Sequence, residues 1–219
     1  MSSSQKIIKY FAITFACIII ASMIGGIVSF IVTIFDISEY KQRKIHELYQ
    51  SNVVNTTLDI DLKSADLEIN LGDKLLVSSD SKYINCIQDE NKIQVIEKSH
   101  VSFSNNTSKL IITIPRDLMF DVVDIEAGAG KINIEELETK RLHLDLGAGR
   151  VDIKNLIVTE RTKIEGGAGK FTIQNGTINN LKFALGVGDA KINSAILGNS
   201  TIDASVSKLD VNLRGSIND

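Results

Sequence analysis

The sequence predicts an all-β protein, a single β-solenoid (β-helix) of 19–20-residue repeats preceded by one N-terminal transmembrane α-helix. Two observations support this prediction. An uncharged apolar segment of 26 residues, Tyr10–Phe35, lies near the start of the chain, and a short unit with strand-type alternation recurs at a fixed period through the second half. Each unit contains two strands that are too short to bury their own apolar face, so the units must stack on one another.

The first segments of the chain predict a membrane anchor. A helix over the 26 residues Tyr10–Phe35 would be about 39 Å long, which is enough to cross the hydrocarbon core of a bilayer. A cleaved signal peptide has a shorter apolar stretch. We therefore expect a short tail over residues 1–9 and an uncleaved single-pass helix over residues 10–35.

Flanking charge leaves the orientation of this anchor open. Basic residues flank it in nearly equal number: Lys6 and Lys9 before it, and Lys41, Arg43 and Lys44 after it. The positive-inside rule therefore does not decide between the two topologies. A short tail followed by a long apolar span is typical of a signal-anchor, so we expect the chain in the cell membrane with its solenoid outside the cytoplasm.

Two less regular regions lie between the anchor and the repeats. We expect residues 36–56 to form a juxtamembrane helical linker, because their apolar side chains have a spacing compatible with a helix: Ile37, Tyr40, Ile45, Leu48 and Tyr49. We expect residues 57–124 to form an irregular β-strand region. Its strands are expected at Leu75–Ser78, Tyr83–Ile87, Lys92–Ile96 and Lys109–Ile114.

The regular β-solenoid repeats occupy residues 125–219. Five copies of one unit are 19, 20, 19 and 19 residues apart, and a degenerate sixth copy begins far upstream at Ile60. The five begin at Ile125, Leu144, Ile164, Phe183 and Ile202. Because stacked strands lie about 4.8 Å apart, equivalent inward residues form a continuous apolar ladder. This core ladder consists of Ile134, Ile153, Ile173, Ile192 and Val211.

Side-chain bulk is exchanged within a repeat. Phe171 accompanies Gly166, whereas Ala190 accompanies Phe183 and Leu185. Close packing of a narrow core requires such compensation, so we expect these side chains to share the interior.

Each regular repeat except the last contains a Gly-x-Gly step. Its structural glycines are Gly128, Gly130, Gly147, Gly149, Gly167, Gly169, Gly186 and Gly188. A Walker phosphate loop needs a further Gly before this step and Ser or Thr after the Lys, and the repeats have neither. They also lack the Asp and the period of the calcium-binding nonapeptide. We therefore expect solenoid corners, where Gly allows stacked backbones to approach closely.

An acid at the second position of a repeat goes with a base five residues later. The pairs are Glu126 with Lys131, Asp145 with Arg150, Glu165 with Lys170, and Asp203 with Lys208. In the fourth copy the acid is replaced by Ala184 and the base by Asp189, and the degenerate upstream copy breaks the rule with Asp61 and Asp66. Acids stacked one repeat apart would repel, and we expect the neighbouring bases to offset this repulsion. A ligand-binding charge stripe is the alternative.

Composition and residue spacing exclude several classes of function. The pI is near 5.7, aromatic residues make up 5% and no basic cluster exists, so nucleic acid is not an expected partner. The two cysteines, Cys17 and Cys86, lie in different kinds of segment, which excludes a disulfide framework. The histidines are scattered without metal-ligand spacing: His46, His100 and His143. We therefore assign no catalytic, cofactor-binding or metal residues and expect no cofactor.

The chain resembles a widespread bacterial family of β-strand-repeat proteins called putative adhesins, a domain of unknown function. The resemblance covers about residues 57–219. It depends on the serial Gly-x-Gly units and on the strand Ile112-Thr113-Ile114-Pro115 just before them. It implies a β-helix fold and, since some members carry an N-terminal membrane helix, a membrane-anchored member.

These observations favour a membrane-tethered scaffold or adhesin of the bacterial cell envelope that is not an enzyme. The alternative is a regulatory or envelope-stress-sensing component that acts through a partner membrane protein. Expected partners are the membrane, through the single anchor, and either an envelope polymer or a membrane protein. Self-association is also expected, because the last strand, Leu209–Leu213, leaves one row of backbone groups unpaired.

Overall fold

The computed structural model describes residues 44–51, 57–99 and 107–213. The predicted tail, the transmembrane helix and residues 36–43 of the linker lie outside these ranges. The regular elements within them are all β-strands, so the all-β prediction is confirmed there. No helix of the described part is long and apolar enough to cross a membrane. The strands are β1 (His46–Ser51), β2 (Thr57–Leu62), β3 (Asp66–Gly72), β4 (Leu75–Ser79), β5 (Ile84–Asp89), β6 (Lys92–Glu97), β7 (Lys109–Pro115), β8 (Met119–Ile173), β9 (Gly176–Asn179), β10 (Leu181–Leu197) and β11 (Thr201–Leu213).

Consecutive repeats stack as coils, one coil per repeat. Phe183 of β10 pairs in parallel with Ile164 of β8 on one side and with Ile202 of β11 on the other. Within β8, a Cβ atom built on Gly147 would lie 2.4 Å from the carbonyl oxygen of Gly128, so those two coils also lie directly against each other. One repeat along the chain is therefore one step along the solenoid.

The degenerate upstream copy forms the coil next to the first regular repeat. Strand β2 pairs with β8 so that Ile60 lies beside Ile125, and β3 pairs with β8 so that Ile69 lies beside Ile134. The chain between β3 and β8 passes to the other side of this coil before it returns to form the first regular repeat. Strands β6 and β7 pair with the edges of β2 and β3 that face away from β8. The irregular region is thus continuous with the regular solenoid.

Antiparallel strands lie beyond β6 and β7. Strand β5 pairs with β6, β4 pairs with β7, and β1 pairs with β4, all antiparallel. The β5–β6 connection is a tight turn, with Glu90 at a φ of 44°. The expected strands of this region are present, each within two residues of its predicted bounds.

Strand β1 corrects the helical prediction for the end of the linker. Residues His46–Ser51 are extended and pair with β4, with a register shift between Glu47 and Tyr49. This shift places Leu48 and Tyr49, which are adjacent in sequence, both against the core. A β-bulge turns successive side chains to the same side, so it imitates the apolar spacing of a helix.

Three successive coils contain a third strand segment, which the sequence pattern did not predict. Strand β9 pairs in parallel with both neighbours, so that Ile178 lies between Val158 and Ile196. Val158 and Ile178 are fully buried, and Ile196 is partly buried against the core. This segment therefore adds a further inward ladder to the core.

Four of the five members of the core ladder lie in the interior, and the fifth, Val211, is partly buried against it. Ile134, Ile153, Ile173 and Ile192 are each 1% exposed or less, and Ile192 pairs with Ile173 and with Val211. Bulk is exchanged around Gly166, since a Cβ atom there would lie 2.6 Å from the ring of Phe171. That ring meets Phe183 edge to face, with centroids 5.7 Å apart. The absence of one side chain makes room for a larger one from the same coil.

A buried carboxylate closes the corner of the first coil. Glu97 is 1% exposed, and its Oε2 accepts the backbone N–H groups of Lys63, Ser64 and Ala65 at 2.8, 2.8 and 3.0 Å. In the next coil the N–H of Ala129 donates instead to the carbonyl oxygen of Lys63 at 3.1 Å. The Glu97 side chain thus supplies the acceptor that a preceding coil would otherwise provide.

Candidate interaction surface

The Gly-x-Gly steps lie at one corner of every regular coil but the last. Gly149 shows why glycine is required: its φ is +141°, and a Cβ atom on it would lie 1.9 Å from the carbonyl oxygen of Gly130. The first glycine of the step meets the same constraint, since a Cβ atom on Gly167 would lie 2.5 Å from the carbonyl oxygen of Gly147. In this geometry the glycines allow adjacent backbones to stack at the corner.

Replacing Gly149 with Ala should therefore lower the free energy of unfolding by about 2–4 kcal/mol, because the new Cβ adds strain and a backbone clash. Ala148→Ser is the matched control, since Ala148 is exposed and its change should stay within about 0.5 kcal/mol. Urea unfolding of the full chain in mild detergent measures both. Equal midpoints for the two variants would contradict the assigned corner geometry.

The residue between the two glycines forms the outer edge of the corner. Its members are exposed and small or apolar: Ala129, Ala148, Ala168 and Val187. Val187 pairs with Ala168 in the β8–β10 register and is 55% exposed. We call this row the apex row. Because these side chains are small, another protein surface could approach the backbone of the corner closely.

An acidic column runs along one side of the apex row. It contains the second residue of each coil: Asp61, Glu126, Asp145, Glu165, Ala184 and Asp203. The register places Asp61 beside Glu126, and Ala184 between Glu165 and Asp203. Four consecutive coils thus carry a carboxylate at one position, and the fifth carries Ala.

A basic column runs along the other side of the apex row. Its members follow the second glycine of each step or the equivalent residue: Lys131, Arg150, Lys170, Asp189 and Lys208. The register places Asp189 between Lys170 and Lys208. All five are exposed, and the first coil carries an acid, Asp66, at the same position. The corner therefore separates two columns of opposite charge.

The acids and bases of one repeat do not pair with each other, contrary to the expected mutual offset. Among the described residues, members of these columns pair instead with residues outside the columns: Glu165 with Lys163 at 2.5 Å, and Arg150 with Asp152 at 3.9 Å. Glu126, Asp145, Lys131 and Lys170 form no ion pair within the described part of the chain. The corner holds the two columns apart, so their charges are left for other surfaces.

One cluster next to the acidic column was missed by the sequence analysis. Ligand atoms of Asp124, Glu126 and His143 lie within 4.8 Å of one another, and His143 Nδ1 is 3.0 Å from Asp124 Oδ1. His143 follows Asp124 by one repeat, so only stacking brings them together. Lys163 Nζ lies 3.4 Å from His143 Nε2 on the next coil and supplies a positive charge there. The group is partly exposed, and the Lys163 ammonium competes with a cation for His143, so we expect cation binding there to be weak.

A shallow depression of about 430 Å³ lies where Ala184 interrupts the acidic column. Its lining includes three carboxylates, Asp145, Glu165 and Asp203, a residue type that can act as a general acid or base. A general acid of a glycan-cleaving enzyme needs a raised pKa. The hydrogen bond and charge of Lys163 lower the pKa of Glu165 instead. That shift is the wrong direction for proton donation.

Comparisons with known proteins bear on the fold of this surface. The family model described as Toastrack DUF4097 matches residues 55–216. A solved structure of a putative cell adhesion protein from Clostridium sporogenes is similar over 78% of this chain and 98% of its own, with 14% identity and a TM-score of 0.51. A putative adhesin from Bacteroides fragilis matches over 78% and 98%, with 12% identity and a TM-score of 0.37. None of the curated proteins matches. The Clostridium structure shares the fold.

Proposed function

This chain belongs to the toastrack DUF4097 family, and from that premise we propose that it is a membrane-tethered interaction scaffold, or adhesin, of the bacterial cell envelope. In this proposal the uncharged segment Tyr10–Phe35 anchors the chain in the cell membrane and the solenoid stands outside the cytoplasm. The chain acts by binding, without catalysing a reaction.

The observation that carries the proposal is the pair of charge columns on either side of the apex row. Strand pairing fixes each charged residue one coil from the next, about 4.8 Å along the axis. The surface is therefore long, regular and held by backbone hydrogen bonds. Such a surface suits a partner that is itself extended, and it offers no enclosed site where water could be excluded from a reaction.

External protease should remove the solenoid from intact protoplasts and leave a small membrane-embedded fragment. The expected cut lies in the linker between Phe35 and His46, because the strands from β1 onward are hydrogen-bonded. Immunoblotting with antibodies against each end of the chain measures the result. Digestion only after lysis would reverse the proposed orientation.

Affinity capture distinguishes an adhesive from a regulatory role. The full chain is crosslinked in its own membranes, solubilised and captured, alongside Asp145→Asn/Lys170→Gln, which removes one charge from each column. Loss of captured cell-wall polymer in this variant is the result expected for the adhesive scaffold. Capture of one discrete membrane protein, with no polymer, would instead favour the regulatory alternative.

A further inference from the structure

We propose that the corner is a self-association surface, on which a second copy of this chain lies side by side, parallel and in register. This proposal rests on the proposed function only in that it names a partner for the proposed binding surface. It concerns the solenoid alone and does not depend on the membrane anchor. Three features of the described coils support it: the position of the two columns, their shared interruption, and the lack of neutralising partners.

The position of the columns selects a parallel arrangement. Consider two copies that meet at their apex rows and are related by a two-fold axis parallel to the solenoid axis. The rotation carries the acidic column of one copy to the side where the basic column of the other lies, so unlike charges face each other on both sides. An antiparallel pair would place acid against acid and base against base.

The interruption in the fourth regular coil selects the register. There Asp189 stands in the basic column and Ala184 in the acidic column. In register, Asp189 of one copy faces Ala184 of the other, so no like charges meet in this coil. The first coil is the exception, since Asp61 would face Asp66 there, and Lys63 neutralises Asp61 within its own chain at 2.6 Å. A shift by one coil in either direction would place Asp189 against Glu165 or Asp203 of the second copy. In this coil the acid is lost together with the base, although the two positions lie on opposite sides of the corner.

Unneutralised charge supplies the driving force. Carboxylates one coil apart repel along their column, and so do the ammonium and guanidinium groups along theirs. Among the described residues Glu126, Asp145, Lys131 and Lys170 have no ion-pair partner. The second copy's opposite column would relieve both repulsions at once. Small side chains in the apex row, such as Ala129 and Ala148, permit the close approach that this requires.

Disulfide trapping of the full chain tests the arrangement. In a background with Cys17 and Cys86 replaced by Ser, Ala129→Cys and Val187→Cys are introduced separately and oxidised in native membranes. Each variant should form a covalent homodimer, because a parallel in-register pair brings each apex residue next to its own equivalent. Asn175→Cys, which is exposed at a different corner, is the control and should give at least about tenfold less dimer.

Charge reversal tests the cause of association. Glu126→Lys and Lys131→Glu, each combined with Ala129→Cys, should both reduce homodimer formation by about tenfold, since each places like charges opposite each other. Co-expression of the two variants under different tags should restore crosslinking, as a heterodimer. A change confined to one chain's own stability would not produce this rescue, and thermal unfolding of each variant checks that both fold.

Each outcome decides the proposal. Homotypic crosslinks at both apex positions with heterodimer rescue support it. An Ala129→Cys chain that crosslinks only to a Val187→Cys chain would show an antiparallel pair and overturn it. Yields equal to the Asn175→Cys control would also overturn it. The protease experiment on protoplasts is independent of all three results, so failure here leaves the proposed membrane orientation untouched.

Discussion

Replacing Ile173 with Asp should unfold the regular half of the solenoid. Ile173 is 1% exposed and lies in the core ladder beside Ile192. The substitution removes a buried aliphatic side chain and leaves a lone carboxylate among apolar neighbours, so we expect a loss of at least about 4 kcal/mol. Coils of a solenoid are stabilised mainly by their nearest neighbours, so the damage should extend along the axis in both directions.

Hydrogen exchange of the full chain in detergent measures this loss coil by coil. Protection should disappear first in β9, which follows Ile173 in the same coil, and in β10, which stacks on that coil, and it should persist longest in β6 and β7. Gln174→Asp is the matched control, because it adds the same charge one residue away at an exposed position. An Ile173→Asp chain as protected as the control would refute the ladder as the source of stability.

Replacing Glu97 with Ala should destabilise the other end of the solenoid by about 3 kcal/mol. The change removes a buried charged acceptor from three backbone N–H groups and leaves that of Ala65, a buried residue, without a partner. The first coil would lose the contact that fixes its corner, and the antiparallel strands beyond it would follow. We expect this loss to be larger than that from any exposed charge of the two columns.

Two further variants isolate the cause. Glu97→Gln keeps an oxygen acceptor and loses the charge, so its cost should be smaller than that of Glu97→Ala. Asp89→Ala removes an exposed carboxylate from the same hairpin and should change the free energy of unfolding by less than about 0.5 kcal/mol. Urea unfolding measures all three. Equal effects of Glu97→Ala and Asp89→Ala would mean that water replaces the carboxylate without cost.

The local sequence pattern was sufficient to predict most of the strands and the residues that each repeat places in the core. The period of 19–20 residues gave the positions of the coils, and alternation gave the inward residues Ile134, Ile153, Ile173 and Ile192. The exchange of bulk between Gly166 and Phe171 was visible in the same way. These features are readable because side chains of a strand alternate with a period of two, whatever the strand pairs with.

Local pattern failed where pairing partners decide the outcome. The bulge in β1 imitates helical spacing, because two adjacent side chains turn to the same side only when β4 is present. The third strand segment of a coil is short, so its sequence could not be distinguished from a loop. Its pairing with the neighbouring coils identifies it as a strand. Likewise His143 joins Asp124 only through stacking, although the two residues are one repeat apart in the chain.

By itself the sequence determined the all-β repeat architecture, the inward ladders, the glycine corners and the order of charge along each repeat. Tertiary structure alone decided that the coil of Ile60 stacks on that of Ile125, that Glu97 closes its corner, and that the acids and bases of a repeat stay apart. The physical reason is the range of each interaction. Side-chain alternation and glycine conformation are properties of a few consecutive residues, whereas stacking order, a capping carboxylate and the separation of two charge columns depend on residues that only the folded backbone brings to the same place.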